Sequence, residues 1–522
     1  MKKRMEISFI AMLLFAPLML SFAAPYIASQ SVENTMQLAA TNTITRGPLI
    51  ESTTNESTTI YWETTESAPS TVNYGKNTSM LEVMTNSTSD TVHSVKLTGL
   101  DLDAKYFYEV ESGDAQSEMY YFFTAPADGG KFRMVILGDN RPSSSTAPEQ
   151  PEVFSEIIDL SIGEDPHLVI MTGDFVYGVT ESHSQNLVAW EKFTNITDRI
   201  NHYAPIIGVI GNHDTGASTG SRLLEYYFDA FLNFGHSTTY FTFTYAGADF
   251  FILDSEEFGL EGRITGEQYE WLEEALSSSQ SPLKIVSAHR PLYSISHIGS
   301  ALDVNITERD RLQNLFEDEN VTFFTAGHDH SYNRIVVNGV THIITGGAGA
   351  PLYNTPWGGA YNHYISSNFS YSEIDYSVIK PSGVVSEHQK IPSEGPIEIF
   401  LRGFANTSRK ENGTIPEIYF SEVPVTKYFS WDGNDNQTEL TGLPDVEGNH
   451  TLDVYAENEE GQWGHVRYLF EAYIRDTTGF LPPDDTADGG MSWITNIAIA
   501  SIVAGAAVAV VIVFLLRRRG KI

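Results

Sequence analysis

Cysteine is absent from all 522 residues. Disulfides and thiolate ligands are therefore excluded, and any metal must be held by His, Asp, Asn or Tyr. Basic residues are scarce: 31 Lys and Arg face 67 Asp and Glu, a formal charge of −36. Repulsion at that charge argues against nucleic acid or an anionic membrane surface as the main partner, and makes binding of an anionic substrate depend on local metal charge. There is no repeat of fixed period and no long low-complexity tract. With 41% apolar and 12% aromatic residues the chain is not a disordered one, and its length predicts several domains.

The two ends differ from the rest. Residues 1–28 open with KKR and continue through an apolar stretch, Ile7 to Ala24, which reads as a secretory signal peptide, with an uncleaved anchor as the alternative. At the other end, 494–516 carries no charge over 23 residues. At about 1.5 Å per residue that crosses roughly 30 Å of hydrocarbon, so a transmembrane helix is expected, with a buried core helix as the alternative. The tail 517–522 follows with Arg517, Arg518, Arg519 and Lys521, and basic residues tend to stay on the cytoplasmic side. The expected location is the cell membrane, as a single-pass protein with an extracellular ectodomain and a cytoplasmic C-terminus. Eleven Asn-x-Ser/Thr sequons, at Asn55, Asn77, Asn86, Asn195, Asn305, Asn320, Asn368, Asn406, Asn412, Asn436 and Asn449, suit a glycosylated ectodomain.

Between the ends, alternation of apolar and polar residues over 45–126 (TTIYWET, STVNYG, VHSVKL, YFYEVES) predicts a small all-β sandwich, closed by a linker at Pro126, Asp128, Gly129 and Gly130. Over 131–391, apolar β-type runs alternate with helical patterns such as PEVFSEIIDL and GEQYEWLEEAL, as in a layered α/β domain. Alternation returns over 394–474 and predicts a second sandwich, packed around Trp431 and Tyr455. Residues 475–492, rich in Pro, Gly, Asp and Thr, read as a stalk. The expected fold class is a multidomain chain: a layered α/β domain flanked by two all-β sandwiches, with a C-terminal transmembrane helix.

Five polar strings carry the chemistry: GDNR (138–141), GDFVY (173–177), GNHD (211–214), AHR (288–290) and GHDH (327–330). Each follows a short run rich in Val, Ile or Phe (FRMVIL, HLVIMT, PIIGVI, LKIVS, VTFFTA), so loops at one edge of a sheet can bring the Asp, Asn and His residues together. Any single Asp after a strand is usually a turn residue, and a lone buried His is usually hydrogen-bonded. Those readings predict neither the order nor the spacing of all five.

In that order the strings resemble the calcineurin-like metallophosphoesterases, and within them the purple acid phosphatase branch. The resemblance covers roughly residues 45–391, since that branch's N-terminal fibronectin-III-like domain has parallels in Trp62, YG (74–75), LTGL (97–100) and YFYEVESG (106–113). It implies a two-metal site in which Asp139, Asp174, Tyr177 and His330 hold one ion and Asp174, Asn212, His289 and His328 the other, Asp174 bridging them. Such donors suit Fe with Zn, Mn or a second Fe, and a tyrosinate favours ferric iron. Many relatives have a His where this chain has Arg141, and the purple branch has Gly there and uses a Tyr, matched here by Tyr177. Arg141 either contacts the substrate phosphate or pairs with a nearby acid. The general acid would be His213, oriented by Asp214, and the nucleophile a metal-bound hydroxide. His297 is either a substrate-facing histidine or an exposed loop residue. The GGAG turn at 346–349 is expected to serve packing alone.

The resemblance implies a cell-surface phosphomonoesterase acting on phosphate esters. A phosphodiesterase or nucleotide-cleaving enzyme with the same ligands is the alternative within the class, and a retired adhesion or sensing module the alternative outside it. The C-terminal sandwich is similar to Ig-like modules and is expected to act as a spacer or to contact surface components.

Overall fold

The computed structural model describes residues 41–79, 81–178, 182–215, 223–391, 397–402 and 409–474. The signal peptide, the stalk, the 494–516 span and the basic tail lie outside the described residues. Among those described, no helix is long and apolar enough to cross a membrane. Ten sequon asparagines, all but Asn406, are described and none is buried.

The N-terminal strands are β1 (Ile44–Thr53), β2 (Ser57–Gly75), β3 (Glu82–Thr98), β4 (Lys105–Ser112), β5 (Ala115–Gln116) and β6 (Tyr120–Phe123). Instead of two separate sheets they form one. The reason lies in β2, whose 19 residues are lined along one edge by β3 and along the other by β1 on its first half and β4 on its second. Register shifts between Glu63 and Ser70 bend this long strand around its own core. There Trp62 lies flat against His93, with ring centroids 4.9 Å apart, and its indole N–H donates to Ser112 Oγ at 3.0 Å.

Strands β7 (Phe132–Leu137), β8 (Leu168–Met171), β9 (Ile206–Gly208), β10 (Phe241–Tyr245), β11 (Ala248–Ile252), β12 (Lys284–Ser287), β13 (Val321–Ala326), β14 (Tyr332–Val337), β15 (Val340–Thr345), β16 (Tyr364–Phe369), β17 (Ile374–Ile379) and β18 (Val385–Ile391) build the next domain. Its helices are α1 (Glu152–Ile162), α2 (His183–Asn201), α3 (Glu225–Ala230), α4 (Gly266–Ser278) and α5 (Ile306–Asp318). Two six-stranded sheets form, in the orders β18-β17-β16-β7-β8-β9 and β10-β11-β12-β13-β15-β14. Alternation along β7 decides the layering. Phe132, Met134 and Ile136 point into a core shared with Phe250, Ile285 and Phe323 of the second sheet. Val135 and Leu137 point the other way, onto Phe154, Ile157 and Phe193 of α1 and α2. The outer face of the second sheet is covered in the same manner by Leu272, Leu276, Leu312 and Phe316 of α4 and α5. Strands buried on both faces read as continuous apolar runs, as these do.

Strands β7, β8 and β9 run parallel, as do β11, β12, β13 and β15, so the loops that follow them gather at one edge. The N-terminal domain holds the opposite edge, where the strands begin. Tyr108 Oη donates to the His202 carbonyl at 2.7 Å, Asn201 Nδ2 to the Ile50 carbonyl at 2.9 Å, and Tyr121 Oη to Asp165 at 2.7 Å.

Strands β19 (Ile399–Arg402), β20 (Arg409–Glu411), β21 (Glu417–Phe420), β22 (Thr426–Trp431), β23 (Gly448–Glu457) and β24 (Trp463–Tyr473) form a two-stranded and a four-stranded sheet over a common core. Trp431 lies in that core, but Tyr455 does not. It alternates with the core residues Val454 and Ala456, so it faces outward and stacks on His465. This module docks on the second sheet of the α/β domain through β14 and the turn after it. Arg334 binds Glu398 with two bonds of 2.9 Å, the Asn338 and Gly339 N–H groups donate to the Phe420 and Ser421 carbonyls, and Arg402 Nη2 donates to Asn333 Oδ1 at 2.6 Å.

Candidate metal centre

The polar strings follow the carboxyl ends of β7, β8, β9, β12 and β13, at the edge where the two sheets meet. Asp139, Asp174 and His328 adopt left-handed backbone, with φ of 56°, 59° and 67°. Asp tolerates that region better than most residues, and three such residues in one place indicate a backbone bent to aim side chains. Glycine is required where the loops close on the carboxylates. A Cβ on Gly327 would stand 2.1 Å from Asp139 Oδ2, and one on Gly211 2.5 Å from Asp174 Oδ1.

Asp139, Asp174 and His289 bring one ligand atom each within 4.8 Å of one another, all buried. His289 donates from Nδ1 to the Thr172 carbonyl at 2.8 Å, so its Nε2 carries a lone pair. That lone pair faces Asn212 Oδ1 at 3.0 Å and Asp174 Oδ1 at 3.3 Å. His328 Nδ1 lies 2.9 Å from the same Asn212 oxygen. His330 repeats the arrangement: Nδ1 donates to the Pro351 carbonyl at 2.7 Å, and Nε2 stands 3.5 Å from Asp139 Oδ1. Acceptor atoms facing acceptor atoms in a buried space repel one another, and a cation between them removes the conflict.

Charge supports the same conclusion. Burial raises the Asp139 carboxyl well above the ordinary range, and the neighbouring Asp174 adds to this. Burial acts the same way on Asp174, but its interactions with the neighbouring His289 and His213 rings and the Arg141 guanidinium outweigh it and hold that group low. Burial lowers His330 to about 4 and His328 well below its ordinary value, which keeps both rings in the neutral form a metal needs. The donor set fits two cations, one beside Asp139, Asp174 and His330 and the other beside Asp174, Asn212, His289 and His328.

Residues 132–332, from β7 into β14, match the family model described as calcineurin-like phosphoesterase. The chain carries a calcineurin-like metallophosphoesterase domain. Among curated relatives it is 25% identical over 286 residues to purple acid phosphatase 23 of Arabidopsis thaliana, covering 48% of this chain and 59% of the relative. To the Fe(3+)-Zn(2+) purple acid phosphatase 12 of the same plant it is 26% identical over 320 residues, covering 56% and 65%. The matches thus span less than two thirds of these relatives' own length. The structure of purple acid phosphatase PPD1 from yellow lupin (Lupinus luteus) has the same fold, with a TM-score of 0.51 at 21% identity over 67% of this chain and 74% of that one.

Around the metallophosphoesterase ligands the remaining candidates take definite places. Arg141 is buried and donates from Nε to Asp174 Oδ2 at 3.2 Å, so of its two alternatives the acid pairing is the one formed. Its guanidinium also lies over the Tyr177 ring, 5.3 Å from the centroid. Among the described residues the Tyr177 ring lies against Arg141 and His213. His213, partly exposed, donates from Nδ1 to the Tyr177 carbonyl, which leaves Nε2 free, 3.9 Å from Asp174 Oδ2.

Asp214 does not orient the His213 ring. Its carboxylate turns inward and accepts from the N–H groups of Gly211 and Asp174 at 2.8 and 2.9 Å and of Phe175 at 2.8 Å. These bonds commit the Asp214 carboxylate to backbone, and they tie the 174–176 loop to the 211–214 loop. His297 is half-buried rather than an exposed loop residue, its ring 4.4 Å from that of His328.

Two positioning residues escape the sequence reading. Asp329, the spacer of GHDH, is fully buried and accepts from Ser294 Oγ, Ser296 Oγ, the Ile295 and Ser296 N–H groups and His297 Nδ1, the last at 2.9 Å. These bonds hold its pKa below the ordinary value despite burial. Glu256, also buried, binds Arg290 with two bonds of 2.7 Å directly beyond His289. The one available clue to Asp329 was an acid locked between two ligand histidines.

Proposed function

We propose that this protein is a dinuclear metal-dependent phosphatase that hydrolyses phosphomonoesters at a cell surface. The observation that carries the reading is the Asn212 oxygen set 3.0 Å from His289 Nε2 and 2.9 Å from His328 Nδ1, with Asp174 beside them and Asp139 and His330 opposite. Asp139, Asp174, Asn212, His289, His328 and His330 would hold two cations there, which would supply Lewis-acid charge. The protein's own groups do the rest. Arg141 commits Nε to Asp174 and Nη1 to the Pro142 carbonyl, and its Nη2 has no partner among the described residues. That fork edge donates to a phosphate oxygen. His213, its Nδ1 fixed on the Tyr177 carbonyl, delivers a proton from Nε2 to the leaving alkoxide. His297, with Nδ1 fixed on Asp329, presents Nε2 to the substrate.

Iron with zinc, manganese or a second iron would suit the donors, and Tyr177 would serve as a tyrosinate ligand of ferric iron. The surface location rests on the uncharged 23-residue run with its basic tail and on sequons that lie outside the core. Full-length protein in detergent, assayed on an aryl phosphate monoester and the matching diester while its visible spectrum is recorded, tests the reading. Faster monoester hydrolysis with a visible band lost in Tyr177→Phe is expected. A diester preference makes the protein a phosphodiesterase, and a metal-loaded protein inert on both makes it a binding module.

A further inference from the structure

An open groove of about 490 Å³ adjoins the metal centre, between the loop Ile295–His297 after β12 and the loop Leu352–Pro356 after β15. Two rings join it to the ligands. Tyr353 lies flat on His330, with centroids 4.2 Å apart and planes 7° apart, and its N–H donates to the His330 carbonyl at 2.9 Å. His297 packs on His328 and meets the Tyr353 ring edge-on at 5.2 Å. The groove therefore opens where the part of a substrate beyond the phosphate must lie. Among the described residues lining it there is no Lys, Arg, Asp or Glu.

From this we infer that the groove receives the alcohol half of the ester, and that this half is flat and uncharged. The inference rests on the phosphatase reading and adds the substrate class. Leu352, Pro356 and Ile295 offer apolar contact, Tyr353 an aromatic surface, and Asn354 and Thr355 hydrogen bonds. A leaving group bearing a second anion meets no cation here, because no Lys or Arg lines the groove and the free edge of the Arg141 guanidinium is given to the phosphate, and a chain of charge −36 repels it further. An aryl alcohol and a nucleoside satisfy these requirements, whereas a polyphosphorylated alcohol does not.

The test compares kcat/KM of the full-length protein, in detergent and low salt, for phenyl phosphate, the same ester carrying a ring sulfonate, and glycerol phosphate. The sulfonate is expected to lower kcat/KM by about fivefold or more, and Asn354→Lys to reverse that loss. Tyr353→Ala is expected to lower kcat/KM by about three- to tenfold for phenyl phosphate and by less for glycerol phosphate. Because Tyr353 also packs on His330, metal content is measured in each variant, and Tyr353→Phe is expected to keep the aryl preference. Equal rates with and without the sulfonate, or an equal loss on both neutral esters in a metal-loaded Tyr353→Ala protein, overturn this inference and leave the phosphatase reading intact. Inactivity on all three esters overturns the phosphatase reading and the inference with it.

Discussion

Arg141 donates from Nε to Oδ2 of Asp174 across 3.2 Å, and both side chains are buried. A cation thus stands beside a carboxylate of the Asp139, Asp174 and His289 cluster. Because the Arg141 bond uses Nε, the outer edge of its guanidinium is left for substrate. Arg141→Ala is expected to lower kcat/KM on an aryl monoester by about 10- to 100-fold, the loss of one charge-assisted contact, while two metal ions per chain remain. Rate and elemental analysis on the same sample check this.

Proton delivery by His213 predicts a dependence on the leaving group. His213→Ala is expected to retain metal and to lose about 100- to 10,000-fold in kcat on an alkyl phosphate, with a smaller loss on a nitrophenyl ester, whose leaving group needs no proton. Equal losses on both esters contradict the role.

Asp329 gathers the 294–297 loop through five donors, two of them backbone N–H groups. Asp329→Ala leaves those donors unmatched in a buried space and is expected to destabilise the protein by about 3 to 5 kcal/mol. Asp329→Asn, which keeps an acceptor, is expected to fold and to raise KM more than it lowers kcat, since His297 then loses its fixed orientation. Thermal unfolding and steady-state kinetics separate the two effects.

The pH dependence of stability follows from buried histidines outside the metal centre. Burial lowers His167 and His342 to about 3 and His363 to about 4, from an ordinary value near 6.5. As pH falls through about 6.5 the unfolded chain takes up protons that the folded one refuses. Stability is therefore full above that value and declines until the folded pKa is reached, by on the order of 2 kcal/mol per histidine between about pH 7 and about pH 5. Among the described residues neither ring nitrogen of His342 has a hydrogen-bond partner, and the ring packs against Tyr293 and Phe324. His342→Phe is expected to flatten the acid side of the stability profile, as read by unfolding midpoints across that range.

How much of this was legible in the sequence varies with the kind of signal. The ligand loops were, because strands buried on both faces leave unbroken apolar runs and the Gly that ends four of the five permits close approach, at Gly327 and Gly211 to a carboxylate. The alternation in β2 announced a strand but not that it continues for 19 residues, which joins the N-terminal strands into one sheet. Adjacency in sequence misled at Asp214, whose neighbour His213 points elsewhere. Asp329 and Arg402 were silent for a different reason: their partners, Ser294 to His297 and Asn333, come from distant segments, and no local period records such contacts.

The central claim, that Asp174 is shared by two metal ions that the chemistry needs, is tested most directly by metal stoichiometry in the native protein and in Asp174→Ala, measured alongside aryl phosphate hydrolysis. The account predicts two ions per chain with activity in the native protein, and loss of both ions and nearly all activity in the variant. Activity persisting in a metal-depleted Asp174→Ala protein would contradict it.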